Sequence, residues 1–468
     1  MKYISTRAQK NNGAPKLNFE DVVLTGLAED GGLYVPEQYP HFSIDEIKKL
    51  KGLPYADLAL EILAPFMAPD ISRDELKGIL DKSYSTFHHP DIAPVKKLAT
   101  ESESDLYLLE LFHGPTLAFK DFALQLLGNL FDHILEKRDE TLTILGATSG
   151  DTGSAAIQGC RGRDRLKIFI THPNGRVSDV QRKQMTTVMD DNVFNIAVDG
   201  TFDDCQDLVK ALFNDLDFRK THKLSAINSI NWARIVAQVV YYFHAALKAG
   251  GPETLINICV PTGNFGNIFA AFVAKKIGLP VNKLIIGSNQ NDILTRYFNT
   301  GTMTQESVSP SLSPSMDIQI SSNFERLMFE MLDRDGNKVT QLITKFREQG
   351  SFDLPITGPA KDFMAFYLDD AGTIETIKTA HAETGEILDP HTAVGLSAAK
   401  QAAGKVEGPI LIAATAHPSK FPDAVTTATG QHPALPDFMD GLLEKEERCD
   451  VIENQEKDLK DYITKKLT

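Results

Sequence analysis

From residue 106 onward, short runs rich in aliphatic residues alternate with stretches of helical periodicity. This alternation constrains the fold more than any other feature of the chain. Seven runs read as buried strands: 106–112, 142–145, 167–171, 193–198, 255–260, 284–287 and 410–413. Amphipathic segments lie between most of them, among them 121–136, 152–159, 205–214, 232–249 and 267–277. Strand and helix in turn build βαβ units, which assemble into a mostly parallel sheet covered on both faces. The predicted class is therefore α/β with doubly wound sheets. At 468 residues the chain exceeds what one core supports, so two or more domains are expected.

The ends follow other patterns. Residues 1–90 carry a turn at 26–36 between short extended pieces and helices at 45–51, 55–66 and 73–83. They read as a packing extension rather than a catalytic module. The charge-rich segment 444–468 reads as an exposed helix.

In doubly wound sheets, ligands bind beyond the carboxyl ends of strands, in loops that open helices. Three loops stand there. Gly146-Ala147-Thr148-Ser149-Gly150-Asp151-Thr152-Gly153 follows the second run, and Pro261-Thr262-Gly263-Asn264-Phe265-Gly266-Asn267 follows the fifth. Successive amides in a glycine loop at a helix start form a nest suited to phosphate, although each loop alone could be a capped turn. Neither is a dinucleotide fingerprint, since no two glycines stand two residues apart. The third loop, Thr415-Ala416-His417-Pro418-Ser419-Lys420, closes the last strand.

A lysine stands where lysines are disfavoured. Lys120, in His113-Gly114-Pro115-Thr116-Leu117-Ala118-Phe119-Lys120-Asp121, falls at a strand-to-helix junction or in the first helical turn. The positive end of a helix and apolar neighbours both push an amine toward its neutral form. A neutral lysine is a nucleophile suited to Schiff-base chemistry. Lys120 is not a Walker lysine, because it lies between Phe119 and Asp121. Taken alone, it would be read as a solvated surface cation.

The formal net charge of −15 argues against general binding to nucleic acid or to an anionic membrane, while leaving room for a local basic pocket. Arg176, Arg182, Lys183 and Arg234 lie near the loops in sequence, with solvated surface charge as the default for each. The four cysteines are scattered without a paired motif, which predicts a reducing compartment and no metal site. With no leader-like or long apolar run, the expectation is a cytoplasmic protein with no membrane span.

A nucleophilic lysine, phosphate-type loops and doubly wound sheets resemble the fold-type II pyridoxal-phosphate enzymes. Within them, the Lys120 motif is similar to the cofactor-lysine motif of the threonine synthase family. The resemblance continues through Asp30–Pro36, Ala147–Gly153, Asn228–Arg234, Thr262–Asn267, Ser313–Asp317, Ser321–Arg326 and Asp389–Gly395, and so covers nearly the whole chain. It implies a family-type extension at 1–90, a large cofactor domain at 91–127 and 223–468, and a small substrate-side domain at 128–222. It implies that Lys120 binds pyridoxal 5'-phosphate and shuttles protons. Gly263, Asn264, Phe265, Gly266 and Asn267 would hold the cofactor phosphate, and Thr415 would face the ring nitrogen. Ser149, Gly150, Asp151 and Thr152 would meet the substrate, with Arg234 and Lys420 as further donors. Many fold-type II enzymes carry Asn where Asp151 stands, so the substrate carboxylate is expected to rest mainly on backbone amides. The implied reaction turns O-phospho-L-homoserine and water into L-threonine and phosphate, in a monomer or weak homodimer. The alternative is a lyase resembling the serine/threonine dehydratases; a non-catalytic binding protein is the rival from another class.

Overall fold

The computed structural model describes residues 1–9 and 16–467. Among the described residues, two large sheets carry the fold. The first has six strands in the order Phe363–Tyr367, Val281–Ser288, Ile256–Pro261, Ile410–Ala414, Leu106–Glu110 and Val95–Lys97. All its pairings are parallel except the last, where Val95–Lys97 runs antiparallel. Ile256–Pro261 is buried at every position, as befits a parallel strand covered on both faces. The second sheet is parallel throughout, with strands Asp450–Glu453, Val193–Asp199, Leu166–Pro173, Leu142–Ala147 and Leu224–Ser225 in that order.

The seven expected strands all form, with ends shifted by a few residues; Phe112 falls beyond Leu106–Glu110. In these two sheets the strands not foreseen are edges. Val95–Lys97, Leu224–Ser225 and Asp450–Glu453 are short or exposed, so they lack the continuous apolar run that marks an interior strand; Phe363–Tyr367 does carry such a run, though it is only partly buried at the sheet's edge.

Two of the expected domain limits differ from the structure. The C-terminal strand Asp450–Glu453 and helix Glu456–Leu467 join the five-stranded sheet. Leu459 and Ile463 of that helix pack with Phe169, Ile196 and Leu208. This segment therefore belongs with the smaller sheet, and its helix is exposed except on the face of Leu459 and Ile463; its final residue, Thr468, lies outside the described residues. Leu224–Ser225 likewise pairs in the smaller sheet, beyond the expected limit at 222.

At the other limit, helix Lys120–Arg138 runs unbroken through 127 and 128. It packs against Asp151–Cys160, Arg73–Tyr84 and Trp232–Lys248, and so touches both halves and the extension. Its crossing with Asp151–Cys160 brings backbone to backbone. A Cβ on Gly128 would lie 1.9 Å from the Gly159 oxygen.

In the extension, Tyr3–Ser5 pairs antiparallel with Tyr34–Pro36. The piece before Gly26 is a helix, Phe19–Thr25, capped by Asn18 and too short for its periodicity to show. Helices Ile44–Lys49 and Arg73–Tyr84 begin with capping boxes, Ser43 with Glu46 and Ser72 with Glu75. The extension packs Tyr3, Tyr39 and Phe66 against Trp232, with ring centroids 6.0, 6.5 and 6.2 Å away.

Candidate active site

Lys120 is the first residue of its helix and is 8 % exposed. The turn before it is tightly specified. Asp121 is fully buried and accepts hydrogen bonds from the Thr116 amide at 2.8 Å and the Thr116 hydroxyl at 2.6 Å. Burial nonetheless pushes the Asp121 carboxyl up to about 6. Leu117 adopts a left-handed φ of 62°, a strain of about 1–3 kcal/mol that the surrounding contacts must offset. The Phe119 amide donates to the Thr415 oxygen at 2.9 Å, which ties the lysine turn to the end of the Ile410–Ala414 strand.

The Lys120 amine donates to Asp151 Oδ2 and to Ser315 Oγ, both at 3.2 Å. Asp151 is the first residue of helix Asp151–Cys160 on the smaller sheet, so this contact joins the two halves. Its other oxygen, Oδ1, pairs with Lys420 at 2.8 Å and accepts from Gln181 at 2.7 Å. Lys420 is fully buried and also donates to the Thr116 oxygen at 2.6 Å. Burial alone would raise the Asp151 carboxyl, yet Lys120 and Lys420 together hold it well below the carboxylate range. For Lys120 the balance goes the other way. Burial lowers its amine from the ordinary value, with Asp151 opposing and the charges of Lys420 and Arg234 assisting. The direction agrees with the expectation from its apolar neighbours, with burial as the main cause.

On the large-sheet side, Thr262–Asn267 links Ile256–Pro261 to helix Gly266–Lys276. Phe265 stands at the helix start with φ 63°. The loop's carbonyls are held from behind. Ser321 Oγ donates to the Gly263 oxygen at 2.7 Å, and Asn323 donates twice to the Asn264 oxygen, at 3.1 and 2.9 Å. Among the described residues, the amides of Gly263, Asn264, Phe265, Gly266 and Asn267 donate to no protein group. A row of unpartnered amides at a helix start binds anions. The glycine requirement is strictest at Gly263, where a Cβ would lie 2.7 Å from the Ser315 oxygen. At Gly266 the nearest atom, Asn323 Nδ2, would be 3.4 Å away. The Asn267 side-chain oxygen accepts from Tyr241 at 2.7 Å and also from Tyr242, so that side chain fixes the helix rather than facing the loop.

The matching loop on the smaller sheet is held by one hydroxyl. Thr148 Oγ1 accepts from the Gly150 and Gly153 amides at 2.9 and 2.8 Å. The amides of Ser149, Asp151 and Thr152 donate to no described residue. Thr415 is 5 % exposed; its amide donates to Thr392 Oγ1 at 3.2 Å, while its hydroxyl has no protein partner among the described residues.

Arg234, buried in the first turn of Trp232–Lys248, donates to the Ile227 oxygen at 3.0 Å. Its Nε is buried without a partner, and it makes no ion pair among the described residues. Burial pushes this guanidinium down to about 10. By contrast, Arg182 and Lys183 are committed to Glu447 near the C-terminus.

The structure thus gathers Lys120, Asp151 and Lys420 in direct contact, with the two amide loops at either hand. Asp151 itself is paired with two buried cations, Lys120 and Lys420. Several residues escaped assignment from sequence. Ser315 lies in a Ser/Pro-rich stretch, residues 309–317, whose order comes from Asp317 accepting from Asn289, Asn291 and Ser311. The Ser315 amide donates to His391 Nε2 at 3.3 Å, and His391 Nδ1 meets Asp389 at 2.9 Å. Thr148 carried no signal beyond its place in a glycine loop, and Gln181, in helix Asp179–Thr186, carried none.

Three protein families tile this chain. The threonine synthase N terminus matches residues 2–84, the pyridoxal-phosphate dependent enzymes match 91–345, and the threonine synthase C-terminal family matches 392–463. The chain is 52 % identical over 459 residues to threonine synthase of Pseudomonas aeruginosa, covering 97 % of this chain and 96 % of that one. It is 44 % identical to that of Methylobacillus glycogenes, each covered in full. The crystal structure of pyridoxal-phosphate-bound threonine synthase from Brucella melitensis superposes with a TM-score of 0.95 at 46 % identity, over 100 % of this chain and 99 % of that one. With family, relatives and fold agreeing from one end to the other, the chain belongs to the threonine synthase family of pyridoxal-phosphate-dependent enzymes.

Proposed function

We propose that the chain converts O-phospho-L-homoserine and water into L-threonine and phosphate. The observation that carries this reading is the placement of the buried Lys120 amine, bound to Asp151 of one half and Ser315 of the other. The residues present fit the cofactor of the family. The Gly263–Asn267 amides lack acceptors, a Cβ at Gly263 would collide, and the Thr415 hydroxyl is free to face a ring. When bound, pyridoxal phosphate supplies a carbonyl for an amine and an electron-poor ring that accepts charge developing at a substrate Cα.

The chain's own groups do the rest. Lys120, lowered toward neutrality, takes and returns protons at the substrate's carbons. The amides of Ser149, Asp151 and Thr152, at a helix start, receive the substrate carboxylate, and Gly150 lets the turn be made. Arg234 and Lys420 are the buried cations available to the substrate phosphate, and a buried phosphate requires such partners. Lys420 reaches that role only when Asp151 releases it. Movement of the smaller sheet, with its C-terminal strand Asp450–Glu453 and helix Glu456–Leu467, would provide the release, and it would close the site against water. What supports that motion is that polar contacts of Asp151 link the two halves here. The reading as a dehydratase finds no favour among the relatives, and the substrate is a small molecule.

The deciding assay incubates cofactor-loaded protein with O-phospho-L-homoserine and measures threonine and inorganic phosphate together. Equal yields are expected. Phosphate accompanied by 2-oxobutyrate without threonine would refute hydration at Cβ, and deamination of serine without phosphate release would restore the dehydratase.

A further inference from the structure

We propose that the N-terminal extension positions the cofactor-phosphate loop, acting through Arg326 and Asn323, and so sets affinity for the cofactor phosphate. The proposal rests on the reading of Gly263–Asn267 as the phosphate cradle.

Arg326 is fully buried, and among the described residues it makes no ion pair. Its guanidinium donates to the oxygen of Tyr34 in the extension at 3.0 Å and to that of Ile230 at 2.6 Å. It lies 5.7 Å over the Trp232 ring and also donates to Asn323 Oδ1. Burial pushes it down to about 10. For packing alone, an apolar residue of similar volume would serve at least as well as an unpaired buried cation. The charge has a directional use instead. With Arg326 on its oxygen, the Asn323 amide must turn its nitrogen to the Asn264 oxygen, 2.9 Å away, where the Asn323 backbone amide also points. That fixes the Asn264 carbonyl behind the loop and leaves the following amides facing the other way.

The extension grips this relay twice. Tyr34 lies in the strand paired with Tyr3–Ser5. Directly after that first strand, the Thr6 hydroxyl and Arg7 bind Glu325, the neighbour of Arg326. Thr6 donates to Glu325 Oε1 at 2.5 Å, and Arg7 donates to the two oxygens at 3.0 and 2.6 Å. Thr6 also accepts from the Leu33 amide at 2.8 Å, which locks both extension strands to the same point. The path from extension to loop is therefore continuous: Thr6 and Arg7 to Glu325, Tyr34 to Arg326, Arg326 to Asn323, Asn323 to Asn264.

The test compares pyridoxal phosphate with pyridoxal, titrated into the cofactor-free protein, because their affinity ratio isolates the phosphate contact. Arg326→Met should lower that ratio about tenfold or more, the effect of losing a charged hydrogen bond. Arg7→Met should lower it in the same direction by a smaller factor. The two together should do less than the product of the single effects, since they break one path. An unchanged ratio in both variants, with only a lowered unfolding midpoint, would overturn the proposal and leave the extension a packing element. Should Arg326→Met fail to fold, Arg7→Met and Glu325→Gln decide alone by the same ratio. Gly263→Ala separates the two readings. If it too leaves the ratio unmoved, the phosphate cradle itself is wrongly placed. If it lowers the ratio while the relay variants do not, only the role of the extension falls.

Discussion

The two loops that flank Lys120 are built on opposite principles. Thr262–Asn267 is held from behind by neutral hydrogen bonds from Ser321 and Asn323 to its carbonyls, and these leave its amides free. The loop around Asp151, braced within by the Thr148 hydroxyl, is held as well from the front, by charges of Lys120 and Lys420 that sit where a ligand would sit. A neutral brace behind a loop survives ligand entry unchanged. A charge pair inside the site must exchange partners when an anion arrives. The first arrangement suits a resident group, and the second suits a substrate that comes and goes.

The largest effect falls on the residue both loops address. Lys120→Ala should reduce turnover at least about a thousandfold, the scale of losing a positioned acid–base group, and should leave no lysine here trapped by borohydride with the cofactor. Retention of the trapped adduct on another lysine would break the assignment. Next comes Asp151→Asn, which leaves two buried cations without their carboxylate. Removing one partner of a buried charge pair costs about 3–5 kcal/mol, to be read from urea unfolding of the cofactor-free protein. Adding Lys420→Met should recover part of that loss. If Asp151→Asn proves neutral, the charge brace is not what holds the smaller sheet's loop.

Much of this contrast was legible before any coordinates. Lys120, Gly263–Asn267 and Ser149–Thr152 announce themselves because each follows an apolar run and opens a helix, where local sequence decides the conformation. Ser315, Gln181 and His391 do not, since they reach the site through tertiary contacts from a Ser/Pro loop, a polar helix and the start of the distant helix Pro390–Ala402. The edge strands were hidden for a related reason. Asp450–Glu453 is mostly exposed, and only its pairing with Val193–Asp199 makes it a strand. The helix after it reads as solvated until Leu459 and Ile463 find the smaller sheet's core.

Acid should separate the regions further. His244 and His417 are both brought down to about 4 by burial, with the His113 charge adding at His417. Each is neutral in the fold, whereas the unfolded chain takes up its proton near 6.5. Stability from each, about 3 kcal/mol, is therefore present above pH 6.5 and lost as pH falls toward 4. Asp121, raised to about 6, works in the opposite sense, because the fold prefers its protonated form and gains stability as pH falls through 6. The two losses outweigh the one gain, and His172 and His88, also lowered by burial, add to the fall, so stability should drop between pH 6.5 and 4. Asp151, held well below its usual range, stays ionised throughout, so its pairs should persist. Unfolding midpoints across this range check the sign, and His244→Gln should flatten the slope.

The smallest predicted effects draw the contrast most finely. Ser321→Ala removes one hydrogen bond behind the Gly263 carbonyl, worth about 1 kcal/mol, or roughly fivefold in affinity for pyridoxal phosphate. Thr148→Val removes the acceptor shared by the Gly150 and Gly153 amides on the other side. Because Thr148 never meets the cradle, its loss should raise the KM for the phosphorylated substrate by a similar factor while cofactor affinity stays level. Ser321→Ala should do the reverse. The two variants are matched in size and differ only in which loop they loosen, so each serves as the other's control. If both move cofactor affinity and KM equally, the loops form one cooperative unit, and the division between a fixed cofactor side and an exchangeable substrate side dissolves.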